Sequence, residues 1–208
     1  MRATGPLASL AVVCVNGGSS RDVPGTWSAS VEYLVRRLAP RFPSLGFAEV
    51  RYRIKSWNRL DMCTADAVAA VEAAVGAGAR RVLLLGYSMG GAVAIRAAAH
   101  PSVDTVVGLA PWIPDRLAVQ TLRGRRLAVF HGALDRYLPG IPGVSPANSR
   151  RGFERALAAG VDGSYTLIAG AVHPIALRAP WGGVVPAARG RRWVTLVAEE
   201  LSRFEQGP

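Results

Sequence analysis

Short apolar runs alternate with alanine-rich stretches along this chain, and the alternation predicts parallel strands joined by crossover helices. The run at residues 82–85 is apolar at every position, which is typical of a strand that helices cover on both faces. The predicted strands are residues 9–15, 48–53, 81–85, 105–109, 127–131 and 164–168, and the predicted helices are residues 28–39, 65–75, 90–99, 149–159 and 192–204. This pattern indicates the α/β class, with a doubly wound, mostly parallel sheet of about six strands flanked by helices.

The length of the chain, 208 residues, fits one globular domain, and nothing in the composition marks a second folding unit. We therefore expect residues 1–208 to form a single domain. Only residues 110–126 separate the fourth and fifth predicted strands, which is too short a stretch for a cap domain. Residues 137–148 contain three prolines and two glycines and are predicted to form a loop.

The amino-terminal segment superficially resembles a secretory signal, because Arg2 precedes an apolar run at residues 7–15. The run leads directly into Asn16-Gly17-Gly18 and lacks a separate small-residue cleavage site, so we interpret it as a buried strand. No stretch approaches the roughly 18 apolar residues of a membrane helix, and no membrane partner is expected. The two cysteines, Cys14 and Cys63, offer no disulfide framework and favour a reducing, cytoplasmic location.

The formal net charge of +11 raises nucleic acid as a possible partner, because basic patches neutralise phosphates. Nearly all of the excess is arginine, much of it in separated pairs at the ends of predicted elements. These pairs are Arg36-Arg37, Arg80-Arg81, Arg125-Arg126, Arg150-Arg151 and Arg191-Arg192. Solvated surface charge is therefore the favoured interpretation, attraction of anionic substrates or surfaces is the alternative, and no nucleic-acid partner is expected.

A serine lies at a predicted turn between strand and helix, in the segment Gly86-Tyr87-Ser88-Met89-Gly90-Gly91. The segment matches the G-x-S-x-G pattern, in which a strained turn exposes the serine hydroxyl above the edge of a sheet. The small residues that follow allow the helix to pack closely, and its amino-terminal amides favour developing negative charge. Ser88 is therefore the candidate nucleophile.

A serine hydroxyl needs a base within hydrogen-bond reach and a carboxylate that orients the base. His100 ends a helix too soon after Ser88 to fold back, whereas His173 follows the last predicted strand in a loop. Asp135 follows the fifth predicted strand, four residues after His131. The predicted set is Ser88, Asp135 as the orienting acid and His173 as the base.

A second assignment keeps Ser88 and uses Asp115 as the acid and His131 as the base. It preserves the order serine, acid, histidine, and it places Asp115 after the strand at residues 105–109. It also leaves His173 without a role and puts the base on a strand end rather than on a loop. This assignment is the alternative to the first.

An oxyanion produced at Ser88 needs two hydrogen-bond donors. The backbone amide of Met89 is expected to be one, and an amide in the loop Asn16-Gly17-Gly18 is expected to be the other. For the substrate-binding wall the candidates are the aromatic residues near the carboxyl edge of the sheet. They are Trp27, Tyr87, Trp112 and Trp181.

Four segments together resemble the signature segments of α/β-hydrolases: Asn16-Gly17-Gly18, residues 86–91, His131-Gly132-Ala133-Leu134-Asp135 and Gly170-Ala171-Val172-His173. They span nearly the whole chain and are most similar to small, lidless esterases and dienelactone-hydrolase-like members. Dienelactone hydrolases use a cysteine nucleophile where this chain has Ser88, and many relatives have His-Gly where it has Asn16-Gly17.

The resemblance implies hydrolysis of a carboxylic ester or related acyl bond of a small molecule through an acyl-enzyme on Ser88, with no cofactor and no metal. An acyltransferase or perhydrolase reaction on the same residues is one alternative. A binding protein on a hydrolase scaffold, without catalysis, is the other. The sequence contains no H-E-x-x-H, paired C-x-x-C or phosphate-loop pattern that would favour another chemistry.

Overall fold

The computed structural model describes residues 1–5, 9–135 and 143–207. Its strands are β1 (Arg2–Thr4), β2 (Leu10–Val15), β3 (Val23–Pro24), β4 (Leu45–Glu49), β5 (Ile54–Lys55), β6 (Arg81–Tyr87), β7 (Val103–Leu109), β8 (Arg126–Gly132), β9 (Asp162–Ile168), β10 (Ala176–Arg178) and β11 (Val184–Pro186). Its α-helices are α1 (Ala29–Leu38), α2 (Leu60–Gly76), α3 (Met89–Ala97), α4 (Pro146–Ala158) and α5 (Gly190–Gln206).

Seven of these strands form one sheet in the order β1-β4-β2-β6-β7-β8-β9. All neighbours in it are parallel except β1 and β4. Buried side chains of α2, α3 and α4 form the core on one face, and those of α1 and α5 form the core on the other. The doubly wound α/β class expected from the sequence is confirmed, and β6 lies at the centre of the sheet.

The observed sheet differs from the predicted one at its edge. The additional strand β1 has only three residues and carries no apolar run, so the hydrophobic pattern does not mark it. It is held to β4 by antiparallel pairing and by Arg2, whose guanidinium donates to the Glu49 carboxylate at 2.8 and 2.7 Å. At this edge strand a partly buried ion pair takes the place of the apolar burial that holds the inner strands.

The predicted strand at residues 48–53 was placed three residues too late, since β4 spans Leu45–Glu49. Gly46 looks like a strand breaker in the sequence, but all five residues of β4 are buried. A glycine inside a strand is accepted where a neighbouring backbone approaches closely. Tyr52, by contrast, lies beyond β4, and its hydroxyl donates to the carbonyl of Asn16 at 2.8 Å. Two small two-stranded antiparallel sheets, β3 with β5 and β10 with β11, are absent from the prediction.

The predicted helices are confirmed, with boundaries shifted by a few residues. Ser28 caps α1, accepting from the amide of Val31 at 3.4 Å, and α2 begins at Leu60 rather than at residue 65. Helix α4 begins at Pro146, which suits the first helical turn because that turn leaves amides unpaired. The predicted loop at residues 137–148 is therefore too long at its carboxyl end, and its residues 137–142 lie outside the described residues.

Residues 110–125 between β7 and β8 contain one 3-10 turn, Gln120–Leu122, and no cap domain. The carboxyl edge of the sheet is thus uncovered by any inserted domain in the described part of the chain. No helix among the described residues combines the length and the apolar character needed to cross a bilayer.

The tight packing of α3 on the sheet yields a stability prediction. A Cβ atom on Gly90 would overlap the backbone carbonyl oxygens of Val15 and Asn16, which cannot move without distorting β2. We expect Gly90→Ala to lower the free energy of unfolding by about 3 kcal/mol. Gly76, at the end of α2, has open space around it, so Gly76→Ala is the matched control and is expected to stabilise by about 0.5 kcal/mol. Denaturant unfolding of both variants measures the difference, and equal stabilities would contradict the packing.

Candidate active site

Ser88 lies between β6 and α3, at the carboxyl end of the central strand. Its backbone has φ 56° and ψ −121°, a left-handed conformation that only a strongly constrained turn imposes on a residue with a side chain. The turn is held by the amide of Ser88, which donates to the carbonyl of Leu109 at 2.9 Å. The carbonyl of Ser88 accepts from the amides of Gly91 and Trp112, both at 2.9 Å.

The two glycines that flank Ser88 are required by the closeness of neighbouring backbone. A Cβ atom on Gly86 would overlap the carbonyl of Gly90, and one on Gly90 would overlap the end of β2. The pattern of glycines in the sequence therefore has a steric origin, because the strand, the turn and the helix approach one another at backbone distance. This approach raises Ser88 above the sheet while leaving its side chain only 5% exposed.

Asp135 and His173 lie on adjacent loops, which follow β8 and β9. The two loops are tied together by backbone hydrogen bonds, since the amide of Leu134 donates to the carbonyl of Ala171 at 2.9 Å and the amide of Ala133 donates to that of Ile168 at 3.0 Å. The register of β8 and β9 therefore determines the distance between the carboxylate and the imidazole.

The structure brings Ser88, His173 and Asp135 together, although 85 residues separate the serine from the histidine along the chain. His173 Nε2 lies 3.1 Å from Ser88 Oγ, and His173 Nδ1 lies 2.7 Å from Asp135 Oδ2. Asp135 and His173 are 2% and 5% exposed. Because a carboxylate accepts hydrogen bonds only, Nδ1 carries the proton and Nε2 presents its lone pair to the serine hydroxyl.

The ionised form of Asp135 is favoured within this buried site. Burial alone raises the pKa of the Asp135 carboxyl, but hydrogen bonds from His131 and His173 outweigh burial and hold the pKa below its ordinary value. The amide of Val144 adds a donor to Oδ1 at 3.1 Å. Asp135 is therefore a carboxylate at neutral pH, as an acid that orients a histidine must be.

The alternative assignment with Asp115 and His131 is wrong. His131 is fully buried, with Nε2 facing Asp135 Oδ2 and the carbonyl of Val144 and with Nδ1 facing Ser149 Oγ. Neither ring nitrogen faces Ser88. The exposed Asp115 instead offers its backbone carbonyl to Arg155. Sequence order alone allowed this set because it does not show which way a strand-end side chain points.

The residues expected to supply the oxyanion donors lie at or near the nucleophile turn. Met89 is the first residue of α3, where helical geometry leaves amides without an intrahelical acceptor. Gly17 lies against Ser88, since a Cβ atom there would be 3.3 Å from the serine Cβ. Gly18 lies against Met89 and Trp57, and a Cβ atom on it would overlap both side chains.

Asn16, which precedes these glycines, fastens the loop. Its side-chain amide donates to the carbonyl of Val50 at 2.6 Å, and its own carbonyl accepts from the hydroxyl of Tyr52. Asn16 is 2% exposed, so its side chain is committed to the loop end of β4. The second oxyanion donor is consequently a candidate backbone amide of Gly17 or Gly18, and not the side chain of Asn16.

Two of the four predicted aromatic residues lie beside the catalytic candidates. The ring of Tyr87 lies 5.2 Å from that of His173, and its hydroxyl donates to the His173 carbonyl at 3.3 Å. Trp112 donates its amide to Ser88 and stacks on Trp57, with 5.8 Å between ring centroids and 14° between planes. Trp57 was not identified from the sequence, where its position on a short 3-10 helix carries no mark of a site.

The other two predicted aromatic residues make different contacts. Trp27 packs against the guanidinium of Arg2 at 4.6 Å. Trp181 is 80% exposed in the turn between β10 and β11. No hydrogen bond or ring contact among the described residues joins either side chain to Ser88, His173 or Asp135, and the assignment of Trp27 and Trp181 to substrate binding stays a prediction.

A groove of about 510 Å³ lies at the opposite, amino end of the strands, between Arg81, Arg126 and the end of α5. Two ion pairs lie in its wall, Arg81 with Asp104 at 2.6 Å and Arg126 with Glu200 at 3.0 Å. Neither Ser88 nor His173 lines this groove. The carboxyl edge around Ser88 is therefore the stronger candidate for chemistry.

The sequence and the fold are similar to those of known proteins. The model of a family described as "Alpha/beta hydrolase family" matches residues 12–206. No curated protein matches this sequence.

Solved structures share the fold at low sequence identity. An uncharacterised protein from Bacillus cereus is 13% identical with a TM-score of 0.67, and the alignment covers 94% of this chain and 60% of that one. The esterase PE8 is 15% identical with a TM-score of 0.66, with 95% and 97% covered. A monoacylglycerol lipase from Paleococcus ferrophilus is 16% identical with a TM-score of 0.61, with 92% and 93% covered.

Proposed function

Because the chain belongs to the α/β-hydrolase family, we propose that it is a serine hydrolase that cleaves a carboxylic ester or a related acyl bond through an acyl-enzyme on Ser88. The observation that carries the proposal is the continuous hydrogen-bonded series from Ser88 Oγ through His173 to Asp135, with spacings of 3.1 and 2.7 Å. The names of the esterase and lipase structures that share the fold agree with this reaction class.

The first half of the proposed reaction begins with His173 as the base. Its Nε2 accepts the proton of Ser88 Oγ as the oxygen attacks the acyl carbon, and the carboxylate of Asp135 stabilises the imidazolium that forms. The amide of Met89 and an amide of the Gly17-Gly18 loop donate to the oxyanion. When the intermediate collapses, the imidazolium gives its proton to the leaving alkoxide, and the acyl group remains on Ser88.

Water completes the turnover in the second half. His173 accepts a proton from water as the water oxygen attacks the carbonyl carbon of the acyl-enzyme. The His173 imidazolium then returns the proton to Ser88 Oγ while the carboxylic acid leaves. The described residues place no cap domain over this edge. The same intermediate passes its acyl group to an alcohol or peroxide where such an acceptor outcompetes water, which is the acyl-transfer alternative.

Reaction with a fluorophosphonate probe tests the proposal without knowledge of the natural substrate. The folded wild-type protein is expected to gain one phosphonyl group, and peptide mass spectrometry is expected to locate it on Ser88. Heat-unfolded protein is the control, because only the folded arrangement activates the hydroxyl. A folded protein that stays unlabelled, or that is labelled on another serine, contradicts the proposal and favours the binding-protein alternative.

The reaction type is tested by hydrolysis of p-nitrophenyl esters of increasing acyl length. Release of nitrophenol with stoichiometric free acid supports hydrolysis, whereas ester formation with an added alcohol at the expense of free acid supports acyl transfer. The stacked pair Trp57 and Trp112 next to the nucleophile turn leads us to expect a preference for short or moderately apolar acyl groups.

A further inference from the structure

One buried histidine is left unused by the proposed reaction. His131 ends β8, is fully buried, and places Nε2 3.0 Å from the same Asp135 oxygen that His173 Nδ1 contacts. Asp135 Oδ2 thus accepts from two imidazoles, one on each side. The His131-Gly132-Ala133-Leu134-Asp135 segment of the sequence brings this second histidine to the acid at a spacing of four residues.

The surroundings of His131 define where its proton is. Nε2 faces two acceptors, the Asp135 carboxylate and the Val144 carbonyl at 2.9 Å, so this nitrogen carries the hydrogen. Nδ1 lies 2.7 Å from Ser149 Oγ. Ser149 is itself fully buried and within 2.9 Å of the hydroxyl of Tyr165, which donates to the Pro146 carbonyl at 3.0 Å.

We propose that His131 is a positioning residue that sets how strongly Asp135 attracts the proton of His173. Its N–H takes up part of the charge on Oδ2, so the carboxylate stabilises the His173 imidazolium less than it otherwise does. His131 also couples the acid to the start of α4 through Ser149, which fixes the carboxylate in place. The inference rests on the proposed function, because it concerns the base of that reaction.

The consequence has a definite sign. Loss of the His131 donor leaves more negative charge on Oδ2 and increases the proton affinity of His173. His173 is then neutral, and able to accept a proton, only at higher pH. The acid limb of the profile, the pH range in which the rate rises as His173 loses its proton, therefore shifts to higher pH. The other titratable groups around this pair are Tyr87 from β6, which packs on His173, and Tyr165 from β9, on which Arg150 of α4 stacks at 4.3 Å; these remain in every variant used below.

The test is the rate constant for fluorophosphonate labelling measured between pH 5 and 9, roughly the range over which a histidine titrates. His131→Phe keeps a ring but has no donor, and its acid limb is expected to move up by about half to one pH unit. Well below the limb this shift slows labelling by up to about tenfold. His131→Gln places an amide N–H near the position of Nε2 and is expected to keep the limb of the wild type.

Two further variants keep the test decisive. His100→Gln removes a histidine whose Nδ1 contacts only the amide of Ser102 among its described partners, and it is expected to leave the profile unchanged. Ser149→Ala, which removes the partner of Nδ1, is expected to move the limb in the same direction by less, and it serves where His131→Phe does not fold.

The possible results distinguish failure of the proposed serine hydrolase function from failure of the proposal for His131. A wild-type protein that never labels overturns the proposed function, and this inference falls with it. A wild-type protein that labels while His131→Phe slows at every pH with an unmoved limb overturns the inference alone, because a residue that only fills space lowers the rate without changing the charge on Asp135. A limb that shifts equally in His131→Gln also overturns it.

Discussion

Ser88→Ala is expected to reduce ester hydrolysis by about 10⁴-fold to 10⁶-fold, because removal of the nucleophile from such a set leaves only the contribution of binding and of the oxyanion donors. The loss is expected in kcat, with little change in KM, because the substitution removes only the hydroxyl oxygen. The alanine methyl group fits the space of the serine side chain at this buried position, where Ser88 is 5% exposed. Initial rates with a p-nitrophenyl ester, measured alongside thermal unfolding, separate a chemical effect from a folding effect.

The matched control is Ser20→Ala, on an exposed serine just after the glycine loop. It is expected to retain the wild-type rate. If Ser88→Ala retains more than about a tenth of the wild-type activity while folded, the hydrolysis is due to another group and the assignment of the nucleophile is wrong.

The part of the site that the sequence predicted is the part in which backbone geometry demands particular residues. Gly86 and Gly90 lie where any side chain would overlap a carbonyl, so the pattern around Ser88 marks a physical requirement. Asp135 and His173 were then placed by the rule that loops after parallel strands share one edge of the sheet. The structure brings the two loops together through backbone hydrogen bonds that the sequence does not display.

The residues that the sequence misassigned or missed owe their positions to the directions of their side chains. His131 was read as a possible base because it ends a strand, but burial turns both of its nitrogens toward Asp135 and Ser149. Trp57 reaches Gly18 and Trp112 from a loop region outside the main sheet, and no spacing rule connects it to Ser88. A conformation-specific contact of this kind depends on packing rather than on local pattern.

The fold was predicted more completely than its edges. Apolar runs such as those in β2 and β6 are fully buried between two helical layers, so hydrophobicity alone identifies them. The short strand β1 relies on Arg2 and Glu49, and a salt bridge between residues 47 positions apart has no local signature. Ion pairing, unlike burial of apolar surface, leaves no periodic trace along a chain.

Asp135→Asn is expected to lower kcat by about 10⁴-fold while leaving the fold intact. The three hydrogen bonds that Asp135 accepts, from His173, His131 and the Val144 amide, all need an acceptor, whereas an asparagine side chain offers one oxygen and one NH₂ group. If the NH₂ group faces the histidines, it donates to Nδ1 of His173 and forces the proton onto Nε2, where it blocks acceptance from Ser88. If the NH₂ group faces Val144 instead, it opposes the Val144 amide hydrogen and displaces the loop.

Asp115→Asn is the matched control for this substitution, since Asp115 was the acid of the rejected assignment and is exposed. It is expected to keep the wild-type kcat, because the contact of Asp115 with Arg155 is made by its backbone carbonyl. The labelling rate of Asp135→Asn should rise as pH increases, because hydroxide partly replaces the weakened base, while the wild-type rate levels off. A kcat for Asp135→Asn within tenfold of the wild-type value would show that the carboxylate does not hold the tautomer of His173. In that case only Ser88 and His173 would remain as catalytic candidates.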